Sequence, residues 1–231
     1  MTMKISTISI ALAGSLLAGP AFADTVSFRE GIAGYTGTFT IAIGSGGPDG
    51  TFTAEELSVD QDTGDYGLDG VGQVLMRFDD IFGPGGIPAG ATILGASLRT
   101  ETGSSTDGPV SLYRMLVDWG SSSSWNSLGN GVQPGVETAA AEASFADIEN
   151  PSTLLWDVTA SVQAWAAGAS NFGWLFNNAS GDGWDVVTEL AFADLRPQLT
   201  VEFAPAPVPV PAAVWMLASG LGALGFARRR R

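Results

Sequence analysis

The 231-residue chain contains neither histidine nor cysteine, which removes Ser–His–Asp triads, Cys–His pairs, thiolate zinc sites and His-ligated metals from consideration. All 24 acidic residues lie between Asp24 and Glu202 with only five of the ten basic ones, so this region carries about 5 − 24 = −19 against −14 overall. Such a surface repels nucleic acid and anionic lipid headgroups, and suits divalent cations or a secreted protein that must stay soluble.

Residues 1–23 read as a secretory signal peptide. Lys4 supplies the positive start and Ile5 to Ala18 the apolar stretch, while Ala21-Phe22-Ala23 forms a small-x-small site for signal peptidase. A body over 24–204 follows, with strands predicted at 25–30 and 38–43. The stretch "VDQDTGDYGLDG" then sets Asp60, Asp62, Asp65 and Asp69 close together, with glycines that let the chain turn. Calcium takes its six to eight oxygens from flexible carboxylate-rich loops of this kind, and a solvated acidic loop is the alternative. The spacing is not that of an EF-hand.

Beyond it, Val74, Met76 and Phe78 share one strand face, and so do Leu94, Ala96 and Leu98 in "TILGASLRTE". Asp79, Asp80 and Glu101 could form a glycosidase-type carboxylate pair only across roughly 5–10 Å of groove. Acidic residues are common here, and the chain is read as having no catalytic residues. Arg77, Arg99, Arg114 and Arg196 have many acidic neighbours and are expected in salt bridges.

A strand at 110–118 leads to Trp119 and Trp125. In "WDVTASVQAWAAG", Asp157 or Thr159 can cap a short helix, Val158, Val162 and Trp165 fall on one face, and Gly168 ends it. Trp156 and Trp165 are expected in the core. Trp119, Trp125 and Trp184 sit in polar, loop-like sequence and are the candidates for stacking on sugar rings. Strands follow at 172–177, 184–193 and through Leu199, Val201 and Phe203. Asn178-Ala179-Ser180 matches a glycosylation sequon and is read as chance. About nine strands, mostly half-buried, predict an all-β antiparallel sandwich with one short helix.

The pieces "LMRFDDIFGPGGIPAGATILGASLRTET", "VSLYRMLVDWGSSSSWN", "LWDVTASVQAWAAGASNFGWLF" and "TELAFADLRPQLTVEF" occur in the order found in DNRLRE-type domains, which this body resembles. The resemblance implies a jelly-roll β-sandwich, of a group that includes carbohydrate-binding modules for alginate-like polysaccharides. Basic strand positions expected of a binder of acidic sugars are mostly missing from this sequence.

Pro recurs at every second position from Ala204 to Pro211, so 205–211 should be an extended spacer of roughly 3 Å per residue. Residues 212–231 then combine an uncharged run, Ala212 to Ala227, with Arg228, Arg229, Arg230 and Arg231. As a transmembrane helix the run spans roughly 24 Å against a hydrocarbon core of about 30 Å, and the arginines hold its end cytoplasmic. Val208-Pro209-Val210-Pro211-Ala212 with this helix and arginine stop resembles the V-P-x-P-A variant of PEP-CTERM sorting signals. The resemblance implies a Gram-negative host with an extracellular polysaccharide, and an inner-membrane precursor. An exosortase would remove the tail and release the body to the cell surface or matrix. The expected activity is non-catalytic polysaccharide binding. A purely structural surface protein that contacts other proteins is one alternative, and a polysaccharide-degrading enzyme is another.

Overall fold

Eleven strands and one helix form among the residues that the structure, a computed structural model, describes: 23–61 and 70–206. Residues 1–22, among them Ala21, lie outside the described residues. So do Asp62, Asp65 and Asp69, the motif Val208 to Ala212, and Arg228 to Arg231. The strands are β1 (Asp24–Arg29), β2 (Thr38–Gly44), β3 (Glu56–Val59), β4 (Gly72–Phe78), β5 (Thr92–Glu101) and β6 (Val110–Met115), then β7 (Thr138–Phe145) and β8 (Thr153–Asp157). Helix α1 (Thr159–Ala166) precedes β9 (Trp174–Asn178), β10 (Trp184–Val187) and β11 (Gln198–Ala204).

Three antiparallel sheets result, ordered β1-β11-β5-β8, β2-β4-β9-β6-β7, and the short pair β10-β3. This is the all-β, one-helix architecture expected. The main core lies between the larger sheets: Val74, Met76 and Phe78 from β4 and Trp174 and Phe176 from β9 meet Leu98 from β5, Trp156 from β8 and Val201 from β11. Alternate residues point to opposite faces of a strand, so these inward sets follow directly from the sequence pattern.

Much of the five-stranded sheet is buried on its other face as well. Ile41 and Ile43 of β2, Leu75 of β4, Leu175 of β9 and Met115 of β6 pack there with Trp119 and Val132 in a second core. The segment between β6 and β7 covers them. Two outward side chains of β4 pin it. The Gln73 amide donates to the Val132 carbonyl and accepts from its N–H, both at 2.8 Å. Arg77 donates to the Trp119 carbonyl at 2.6 Å and lies over its ring at 5.0 Å. A sheet covered on both faces reads as near-continuous apolar sequence, which is why "TIAI" and "VLM" stand in β2 and β4.

Several expectations are corrected. Strands β3, β7 and β8 were not among the predicted ones: β3 has four residues, and "TAAAEASF" in β7 lacks the β-branched and aromatic residues that mark strands. The predicted 110–118 strand stops at Met115 and the predicted 184–193 strand at Val187. Thr188 donates to the Glu55 carbonyl there, and the chain turns. Leu94 does not join Ala96 and Leu98 inside. The β5–β11 register shifts between Glu202 and Phe203, so Ile93 enters the core and Leu94 is left 49% exposed. An extra residue in one strand reverses the alternation beyond it.

Helix α1 has the predicted burial, with Val162 and Trp165 inside and Gly168 at φ +102 just past its end. Asp157 Oδ1 accepts the Thr159 N–H at 3.0 Å, satisfying one of the free donors of the first turn.

β2 is an edge strand, and its outward N–H groups are occupied from within the chain. Thr38 donates to Glu30 Oε2 and Thr40 to Glu189 Oε1, both at 3.0 Å, and Ala42 to the Phe52 carbonyl at 2.9 Å. Carboxylates on these donors block strand addition along this edge.

Candidate binding face

The three tryptophans expected to meet sugar are not gathered on a surface. Trp184 is fully buried, its ring 5.7 Å from Phe176 and 6.0 Å from Trp156, because it stands on the inward face of β10. Trp119 is buried in the second core; its Nε1–H donates to the Phe172 carbonyl and its ring stacks on Phe39 at 5.6 Å. Stacking on a sugar requires an open ring face, which neither has. Trp125 is half-buried against the second core. Gly131 lies directly on its ring: at φ +85, a Cβ there would come within 2.5 Å of it. Polar neighbours in sequence misled here, since Ser and Asn form the turns that carry these rings inward.

Asp60 belongs to the sheet. It is buried, pairs with Gly72 through both backbone groups, and accepts the Gln61 N–H on Oδ1. With Asp62, Asp65 and Asp69 outside the described residues, it is the part of the calcium expectation with a described position. No cluster of three or more acidic residues able to hold a metal occurs among the described residues. Asp79 pairs with Arg77 at 3.1 Å beyond β4, whereas Glu101 pairs with Arg99 and Thr153 in the other large sheet. The candidate carboxylate pair is therefore held by separate partners in separate sheets. Asn178 is fully buried, its amide bonded to Asp182 and Ser180, which agrees with a chance sequon. Ala23, the last residue of the cleavage site, is exposed immediately before β1.

The outer face of β1-β11-β5-β8 is an open surface of the body. Strand register places its outward side chains in rows. Ser27, Thr200, Ser97 and Asp157 form one row across all four strands. Thr25, Glu202 and Gly95 form the next on one side; Arg29, Gln198, Arg99 and Leu155 form the next on the other. Neighbouring strands are about 4.8 Å apart, so each full row is about 14 Å wide. Small side chains in the middle and longer ones at the margins leave a shallow trough of about 480 Å³, with Thr25, Ser97, Thr200, Glu202 and Asp157 among its walls. Ser27 and Thr200 share a hydrogen bond at 3.0 Å, and nothing approaches within 4 Å of where a Gly95 side chain would begin. β1, β5 and β11 were expected as strands and β8 was not; only the register shows that their outward residues align.

The trough is hydroxyl-rich and slightly acidic. Arg99 is neutralised by Glu101 and also donates to the Asp194 carbonyl at 3.4 Å. Burial and the neighbouring Arg99 pull Arg29 below its ordinary value. Asp157 and Glu202 stand two strands and two residues apart, about 12 Å between their backbones by strand geometry. The Thr159 hydrogen bonds hold the Asp157 carboxyl below its usual value, the opposite of what a general acid needs.

Two carboxyls away from the trough are shifted upward. Glu189, at the edge of β2, is raised by burial against the pull of Thr40, and Glu142 by burial against the pull of Ser161 and Arg114. Glu142 accepts from the Ser161 hydroxyl, which in turn accepts the Trp174 Nε1–H at 3.0 Å, tying β7 to α1 and β9.

In comparisons with known proteins, no family model matches the chain, and no curated protein matches it.

A folded-state value above the unfolded one means that the fold prefers the protonated form. The stability contributed by Glu142 and Glu189 is thus fully present below the usual 4.5 and lost as pH rises through their folded values. Asp157 has the opposite sign: its contribution is present above the usual 3.8 and lost as pH falls through its lower folded value. Thermal melts of the wild type and of Glu189→Gln should therefore diverge as pH rises above 4.5, the wild type losing ground. Parallel curves would contradict the assignment.

Proposed function

We propose that the protein is an exported, non-catalytic domain that holds a neutral, hydroxyl-rich polysaccharide along the outer face of β1-β11-β5-β8. The observation that carries this reading is the four-strand row of Ser27, Thr200, Ser97 and Asp157 beside an open trough. Hydroxyl and carboxylate groups at strand spacing can exchange hydrogen bonds with successive sugar hydroxyls, and water can fill the remaining gaps. Glu202 and Asp157 in the walls, with Arg99 already paired, disfavour a polyanion such as alginate.

Asp157, held below its usual value by Thr159, is poorly suited to act as a general acid in the trough, which favours binding over cleavage there. The sandwich is read as a jelly roll of the DNRLRE type, supported by the matching order of β4, β5, the Asp157 helix start and β11. The apolar tail with its proline motif and arginine stop supports sorting by an exosortase after signal-peptidase cleavage, with delivery to the cell surface or matrix. Calcium at Asp60, Asp62, Asp65 and Asp69 would stiffen the segment between β3 and β4.

Ser97 points outward, so Ser97→Arg should fill the trough while changing stability by no more than about 0.5 kcal/mol. Titration against hydroxyethyl cellulose, dextran and alginate, with and without chelator, should show a neutral polymer bound by the wild type and at least about tenfold weaker by the variant, equal to about 1.4 kcal/mol. Binding of alginate alone, or equal binding by Ser97→Arg, would contradict the proposal. The sorting reading predicts that mass spectrometry of exported protein finds a C-terminus upstream of Arg228; Arg231 still joined to extracellular protein would refute it.

A further inference from the structure

The turn between β10 and β11 displays Phe192 at 75% exposure, flanked by Leu190 at 51% and Leu195 at 39%. Isolated exposed apolar residues are ordinary on protein surfaces. The anchoring of this turn is not. Arg196 donates from Nε to the Ala191 carbonyl at 2.8 Å and from Nη1 to the Glu30 carbonyl at 3.1 Å. Arg29 reaches the Ala193 carbonyl at 3.5 Å and Arg99 the Asp194 carbonyl at 3.4 Å. Three of the five arginines in an acidic body therefore converge on the backbone of one turn. At its start, Thr188 is bonded to Ala54 and Glu55, and Glu189 to Thr40 of β2. Inside the turn, the Leu195 N–H donates to the Phe192 carbonyl at 2.9 Å. An aromatic ring is thus presented to water on backbone fixed at several points.

The turn is tied to the same sheet face through two arginines. Arg29 and Arg99, which hold it, stand on the sheet face in the row next to Ser27, Thr200, Ser97 and Asp157. We propose that Phe192 is the stacking platform of the polysaccharide site and that it takes the apolar C–H face of a neutral pyranose ring. This inference rests on the sheet-face reading above and adds the ring that none of the tryptophans supplies. An aromatic side chain gives a large contact area with few rotatable bonds, and prior fixing of its backbone lowers the ordering cost of binding. The arginines that would otherwise attract an acidic sugar are engaged with main-chain carbonyls and Glu101, so the chemistry favours an uncharged ring.

The test is titration of the full chain, in a non-ionic detergent that carries no sugar, against hydroxyethyl cellulose as a soluble neutral β-glucan. Dextran serves as the α-linked comparison. Phe192→Ala should weaken binding by about tenfold, Phe192→Trp should retain it, and all variants should melt with the wild type because the ring is exposed. Unchanged binding by Phe192→Ala, while Ser97→Arg abolishes it, would overturn the platform and leave the sheet-face reading intact. Loss in Phe192→Trp as great as in Phe192→Ala would overturn it too, since any flat aromatic face should serve. A concentration-dependent dimer that Phe192→Ala dissolves without touching glucan affinity would assign the turn to self-association instead. No glucan binding by the wild type would remove both readings together.

Discussion

β4 turns Gln73, Leu75 and Arg77 away from the main core, and what these three side chains hold determines the arrangement of everything else. Gln73 clasps Val132 by both backbone groups and Arg77 clasps Trp119 by its carbonyl and ring, so the β6–β7 segment is drawn down over Leu75. A bidentate amide clasp in a dry setting matters chiefly through its loss, since each backbone group left unpaired there costs about 1–3 kcal/mol. The guanidinium over an indole ring adds about 0.5–2 kcal/mol, depending on how well it is desolvated. Asp79 at 3.1 Å keeps Arg77 in position for both tasks.

That cover makes the two large sheets unequal. The five-stranded sheet is covered over β2, β4 and β9, with Trp119 and Trp125 in the cover, and is open on its outer face only at the β6–β7 end, where Ser111 meets Ser144. The four-stranded sheet keeps one dry face toward Trp156 and Leu98 and one wet face of small polar residues. A ligand long enough to touch several strands has its flattest approach on that second face. Charge is distributed to match. Arg77 and Arg114 serve the covered sheet, while Arg29, Arg99 and Arg196 stabilise the turn at the border of the open one. A body with a large excess of negative charge thereby keeps its few cations for structure.

Much of the fold was legible because alternation survives wherever a strand has one wet face. β1, β5, β8 and β11 expose every second residue, and all but β8 were anticipated. The helix was legible from Val162, Trp165 and the closing Gly168, although its N-cap is Val158, without a side-chain cap hydrogen bond, and not Asp157 or Thr159. Covered sheets hide this signal: Gln73 and Arg77 alternate with the inward Val74, Met76 and Phe78, and nothing local says that a distant segment lies on them. The tryptophans failed for the same reason, because turn residues beside a ring describe its backbone and not where the ring goes. Leu94 failed through a single-residue register shift that no pattern announces. Of the face itself, the hydroxyl residues were visible one strand at a time, and their alignment depends on pairings such as Ser27 with Thr200 across 173 positions. Phe192 was hidden inside an expected strand that ends at Val187.

Hydroxyl-radical footprinting of the protein with and without a soluble neutral glucan measures directly which face meets the polymer. The account predicts protection of Leu155 and Phe192, at the margins of the open sheet face, with no change at Trp125, Leu128 or Val136 in the cover of the other sheet. Protection confined to the β6–β7 segment, with Leu155 and Phe192 unaffected, would contradict it.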